Sequence, residues 1–251
     1  MISLSYPLRL LLAIVGYLMV YVVGTNVAWA LRTPRSVRFA QAIEFARLWG
    51  GRLFLGDVLR LAYYLVAPYL VLYWGWASPL DLGLADLDWI RGVGLAVALG
   101  AGSLPLLLLL WWQYVRLVEN PPMMQQAAWL EQPWGWAFAL REAILLESWW
   151  ALCRSPMLLL AGPYSGVYFG LAAVFAAGLL NTRTRYELGV PGLREDVVLT
   201  ASLAVVTATL YVFIHNLWLC IALHFVLRMI ILHLVYPGMT REDSVGERPA
   251  V

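Results

Sequence analysis

The chain has 251 residues, of which 62% are hydrophobic and 13% charged, and its mean hydropathy is +0.75. Soluble globular domains do not carry such values; a polytopic membrane protein does. Arginine supplies all 17 basic charges against 15 carboxylates, so the net charge of +2 gives no case for nucleic acid as a partner.

A membrane crossing takes about 20 mostly apolar residues. On that scale the sequence predicts an all-α helical bundle of about seven spans (six to eight), near residues 8–31, 53–76, 91–115, 134–153, 157–180, 197–214 and 216–236. They form one transmembrane domain over residues 1–236, and the polar stretch 237–251 reads as a tail. The first span has one arginine before it and no small-residue cleavage site, so it reads as a retained helix. Residues 33–52, with Arg32 directly before them, carry five arginines and one glutamate, with apolar Val37, Ala40, Ile43, Phe45 and Trp49. They read as an amphipathic segment on an anionic lipid surface. In the second span Asp57 and Arg60 stand three apart and are expected to pair with each other.

The loop "SPLDLGLADLD" is acidic, whereas Arg116, Arg183, Arg185 and Arg194 follow the third and fifth spans. The positive-inside bias then places the N-terminus outside and the C-terminus in the cytoplasm. Trp74, Trp76, Trp111, Trp112, Trp134 and Trp136 cluster at span ends, where amphipathic indoles favour the interface. Cys153 and Cys220 lie in apolar surroundings without a CxxC pair and read as packing residues; no metal site is expected.

Ionisable groups inside spans carry the information, because each costs about 2.5 to 3.5 kcal/mol at a helix centre unless something offsets it. The fourth span, "WGWAFALREAILLESWWALCR", holds adjacent Arg141 and Glu142. Glu147 and Arg154 are seven apart on one face, with Trp150 between them. Glu147 reads either as a structural carboxylate held by a neighbouring helix or as a general base with a raised pKa. The last span offers it a partner: His215 at the mouth beside Asn216, His224 and Arg228 on one face, and His233 on roughly the opposite side. Gly162 and Pro163 in "LLLAGPYSG" are candidates for a break in the fifth span.

"NLWLCIALHF" (216–225) and "SPLDLGLADLDWIRGVGLAVALG" (78–100) resemble phrases of the CPBP superfamily, the type II CAAX prenyl endopeptidases and bacteriocin-immunity relatives. The similarity covers about residues 70–236. It implies an intramembrane endopeptidase of the bacterial cytoplasmic membrane, with Glu147 and His224 on catalytic positions. The departures bear on activity. Aligned on EExxxR, "LLESWWALCR" gives Leu146 and Glu147 for the glutamates and Ala151 for the arginine. "FAAGL" (175–179) puts Leu179 where FxxxH has its histidine, and Arg228 replaces the Asn or Asp after His224. Losing one oxyanion donor costs about 100- to 1000-fold in rate. The expectation is therefore a non-catalytic relative in which Glu147, His224, Arg228 and Arg154 form a polar cluster, with Arg228 pairing Glu147. Such a protein would sit in the bilayer as a binding or accessory subunit for a membrane protein or hydrophobic peptide. The alternatives are an active endopeptidase using Glu147 and His224, or a pigment- or haem-associated subunit with His215 and His233 as ligands. The sequence itself names no cofactor.

Overall fold

A computed structural model describes residues 5–32, 54–117, 126–127 and 132–235. The expected surface segment 33–52 and the tail 237–251 lie outside the described residues. Every element among the described residues is helical, and five helices are long and apolar enough to cross a membrane. The chain is an integral, multi-pass helical membrane protein.

Helix α1 is Tyr6–Arg32. The next element, α2, runs through Phe54–Leu61, a π turn at Ala62–Val66 and Ala67–Tyr73. The π turn immediately precedes Pro68, whose ring would collide with the carbonyl of Tyr64 in a regular turn. Widening to the observed Ala67 N–H to Ala62 C=O bond relieves that clash. The wide turn also presents Tyr63 and Tyr64 together. Tyr63 stacks on Tyr17 of α1 at 4.2 Å, and both tyrosines gather with Tyr21 against Trp149. Each hydroxyl of the Tyr17–Tyr63 pair donates to the other's backbone carbonyl.

Helix α3 is Trp89–Leu117, and α4 is Gly135–Leu180. The expected boundary between the fourth and fifth spans, near 153–157, is displaced: the helix continues through Pro156. Pro156 cannot donate to the carbonyl of Leu152, and the Ser155 hydroxyl donates there instead at 2.9 Å. The break falls at Gly162, whose φ of 79° and ψ of 172° no side-chain-bearing residue readily adopts. The chain then folds back on itself. A Cβ at Gly170 would lie 2.5 Å from the Cα of Arg154, sixteen residues earlier, and Gly166 meets the backbone of Met157. α4 is therefore a hairpin of two arms, 135–161 and 163–180, held in backbone contact by glycines four apart.

Helix α5 (Thr182–Gly189) is capped by Asn181, whose side chain accepts from the Arg183 N–H at 2.9 Å. Helix α6 (Leu193–Ile214) starts at Gly192, with Glu195 accepting from the Gly192 N–H. It ends at His215 in the left-handed region, and α7 (Leu217–Val235) follows directly. The main core forms where α6 and α7 pack together with α3, through Leu199, Leu203, Leu210, Leu227 and Ile231. α3 comes very close: at Gly92 and Gly100 a Cβ would strike Leu219 and Leu223 of α7. Trp111 sits in this core beside Tyr114 and not at the lipid interface, while Trp74, Trp76, Trp112, Trp134 and Trp136 are exposed as expected.

Overpacking a tight contact costs about 1 to 3 kcal/mol. Gly170→Leu is expected to lower the melting temperature of the detergent-solubilised protein by several degrees, whereas Gly178→Ala, which faces open space, leaves it unchanged or raised. Equal effects at both positions would contradict the hairpin contact.

Candidate functional site

Glu147 lies midway along the first arm of α4 and His224 midway along α7, and both are completely buried. His224 Nδ1 is 2.9 Å from Glu147 Oε1, so one proton is held on that axis. Trp150, one turn beyond Glu147, stacks on the His224 ring at 5.4 Å and 18°. The ring is thus fixed by a hydrogen bond at its edge and an indole over its face. Glu147 Oε2 and His224 Nε2 have no hydrogen-bond partner.

Arg228 is also fully buried, one turn after His224, but it does not pair with Glu147. Its Nη2 donates to Thr200 Oγ1 of α6 at 3.1 Å, and its Nε and Nη1 are without partners. The Arg228–Glu147 pairing expected from sequence is replaced because Thr200 takes the guanidinium toward α6, while Glu147 meets His224. The cluster expected from the sequence therefore joins α4, α6 and α7 through two separate hydrogen bonds. Arg154 belongs to neither. Its guanidinium carbon lies 3.6 Å from the centroid of the Tyr211 ring, with Nε and Nη2 unpartnered.

The pairing expected within the second span is also replaced. Arg60 is bound to Glu142 on α4, and Asp57 lies 3.5 Å from Arg141 on the same arm. Adjacent Arg141 and Glu142 thus meet two residues one turn apart on α2, and four charges neutralise one another between helices. A further polar group, not singled out from sequence, joins the start of α6 to α3. Tyr114 of α3 donates to Glu195, and Arg194 Nη2 donates to the Tyr114 hydroxyl at 2.7 Å and approaches Glu195 at 2.9 Å. Its signal was the carboxylate at the start of α6, a position that favours negative charge at a helix N-terminus.

His215 and His233 stand at opposite ends of α7, so the structure does not bring them together. His215 is half-buried against Tyr211, and its pKa is lowered by burial and by the nearby charge of Arg154. His233 Nδ1 donates to the Met229 carbonyl of its own helix at 2.9 Å. Among the described residues no group of three His, Cys, Asp or Glu side chains could hold a metal ion. Cys153 and Cys220 are both free and buried.

The two phrases singled out in the sequence meet in space. The Leu217 N–H donates to the Gly83 carbonyl at 2.9 Å, and a Cβ at Gly83 would lie 2.7 Å from both the His215 carbonyl and the Tyr211 ring. The site and fold define a helical membrane bundle with a sealed carboxylate–imidazole couple at its centre. No family model, curated protein or solved structure matches the chain.

The Arg60–Glu142 pair gives a direct test of the interhelical charges. Arg60→Glu leaves the buried Glu142 facing a like charge and should destabilise the solubilised protein by about 1 to 3 kcal/mol, and adding Glu142→Arg should recover most of that loss. Failure of the exchange to recover stability would show that the two side chains do not meet.

Proposed function

We propose that this chain is a non-catalytic relative of the CPBP intramembrane proteases, a seven-span subunit of a bacterial cytoplasmic membrane that binds a membrane protein or hydrophobic peptide. The observation that carries the reading is the Glu147–His224 hydrogen bond between two side chains of zero exposure. The docking of "SPLDLGL" onto "NLW" supports the family relation, since both resembling phrases form one junction at one end of the bundle. Loss of catalysis follows from what surrounds the couple. A peptide bond must reach the activated water, and Glu147 and His224 are enclosed by α4, α6 and α7. The position of the family's second histidine is Leu179, an exposed side chain near the end of the second arm. The Glu147–His224 couple then acts as an interhelical fastening.

Seven spans result when the two arms of α4 count separately and α2 counts as one crossing. α4's hairpin turn and the Asn181–Gly192 connection then lie on opposite membrane faces. The arginines of the latter, Arg183 and Arg185 with Arg194, favour the cytoplasmic side.

Two measurements test these statements. The purified protein should leave a prenylated peptide uncleaved, as should Glu147→Gln; cleavage by the unsubstituted protein that Glu147→Gln abolishes would establish the active endopeptidase instead. A membrane-impermeant maleimide applied outside spheroplasts should label Tyr164→Cys, beside the hairpin turn, and spare Tyr186→Cys until the membrane is opened; both native cysteines are buried. Labelling of both from one side would contradict the seven-span topology.

A further inference from the structure

Helix α3 carries an arginine to a membrane face. Its apolar segment, Trp89–Tyr114, is long enough to cross a bilayer, and Arg116 follows two residues later in the last turn. The guanidinium carbon lies 3.5 Å from the centroid of the Trp112 ring, one turn earlier. The ring quadrupole holds the cation in place without using any of its N–H donors. Among the described residues no carboxylate pairs with Arg116.

The side of the helix below this cation faces lipid. At about 100° per residue, positions 105, 109, 112 and 116 return to one face, and Pro105, Leu109, Trp112 and Arg116 are all exposed. Leu107 and Trp111, on the other side, take the core contacts. An apolar strip therefore ends at the interface in an exposed indole and a cation fixed above it. The neighbouring charges on that membrane face are matched: Arg194 meets Glu195 beside Tyr114, and Arg183 of α5 meets Glu187 at 2.6 Å. Arg185 is exposed too, but it turns back on its own helix to Thr182 Oγ1 at 3.3 Å.

We propose that this end of α3 binds one anionic phospholipid, its phosphate on the Arg116 guanidinium and an acyl chain along Leu109 and Pro105. The guanidinium fork matches two phosphate oxygens at once, and stacking on Trp112 fixes the fork before the lipid arrives, so little side-chain freedom is lost on binding. A soluble phosphate would gain the fork alone; a lipid also covers the exposed strip. The headgroup must carry net negative charge, as a phosphatidylglycerol does, because a phosphatidylcholine supplies its own ammonium to its phosphate. The indole sits where headgroups meet hydrocarbon, the depth at which tryptophan is favoured. This inference depends neither on the proposed family nor on which way the chain faces.

The test is native mass spectrometry of the full-length detergent-solubilised protein, titrated with dioleoyl phosphatidylglycerol or with dioleoyl phosphatidylcholine. The unsubstituted chain should bind the first phosphatidylglycerol more tightly than the first phosphatidylcholine. Arg116→Ala should weaken that first phosphatidylglycerol by about fivefold, the scale of one arginine at an anionic surface, and leave phosphatidylcholine unchanged. Arg116→Lys keeps the charge and loses the fork, so its affinity should fall between the two. Trp112→Leu, which removes the platform and keeps Arg116, should weaken phosphatidylglycerol as well. Arg185→Ala serves as the comparison and should leave the first association close to that of the unsubstituted chain. Equal binding of the two lipids by the unsubstituted protein would overturn the proposal. Equal losses in Arg116→Ala and Arg185→Ala would overturn it too, since they would show a general attraction to the charged face and no site on α3.

Discussion

One hydrogen bond, between Glu147 and His224, sets the register of the helices around it. In hydrocarbon there is no water to receive a polar group left over, so a carboxylate on α4 and an imidazole on α7 must find each other or impose a desolvation cost. Meeting at 2.9 Å fixes how far α7 slides along the first arm of α4, and Trp150 stacked on the ring fixes its rotation. The Arg228–Thr200 bond one turn later adds α6 to the same layer. Apolar packing could be satisfied by several registers of leucine-rich helices; these polar contacts are satisfied by one.

The other contacts fall into place around that layer. Glycines at 92 and 100 bring α3 against α7, and glycines at 166 and 170 close the α4 hairpin. The outer helices are attached differently. α1 buries Leu10 and Ile14 against α4 and α7, and both α1 and α2 add tyrosine rings around Trp149, with the Arg60–Glu142 and Arg141–Asp57 pairs holding α2, while their remaining faces are largely exposed. The π turn is part of this attachment, because it aligns Tyr63 and Tyr64 toward α1 and α4. Where lipid is as apolar as the side chains, such polar and aromatic contacts decide which helices associate.

Much of the helical layout was legible because length and hydropathy report crossing segments directly, and Glu147 with His224 stood out as costly residues without partners on their own helices. What sequence spacing could not supply was the choice among partners. Asp57 and Arg60 are three apart and able to pair, yet each finds an opposite charge on α4, since Arg141 and Glu142 sit at the facing level. Arg228 lies on the His224 face, yet Thr200 of α6 takes its guanidinium. Gly162 with Pro163 stood out as a candidate break, and the structure turns there, where a left-handed φ is needed; the boundary expected near 153–157 is absent because Ser155 repairs the backbone bond that Pro156 loses. These outcomes depend on neighbours in space, which periodicity along one helix does not encode.

The account stands on Glu147 and His224 acting as a coupled pair and not as two independently packed side chains. A double-mutant cycle on the solubilised protein, with Glu147→Ala, His224→Ala and the two combined, measures this directly through reversible denaturant unfolding. The account predicts that the combined variant is less destabilised than the sum of the single ones, by about 1.5 kcal/mol or more, since each single change leaves a buried group unpaired. Losses that add to within about 0.5 kcal/mol would contradict it.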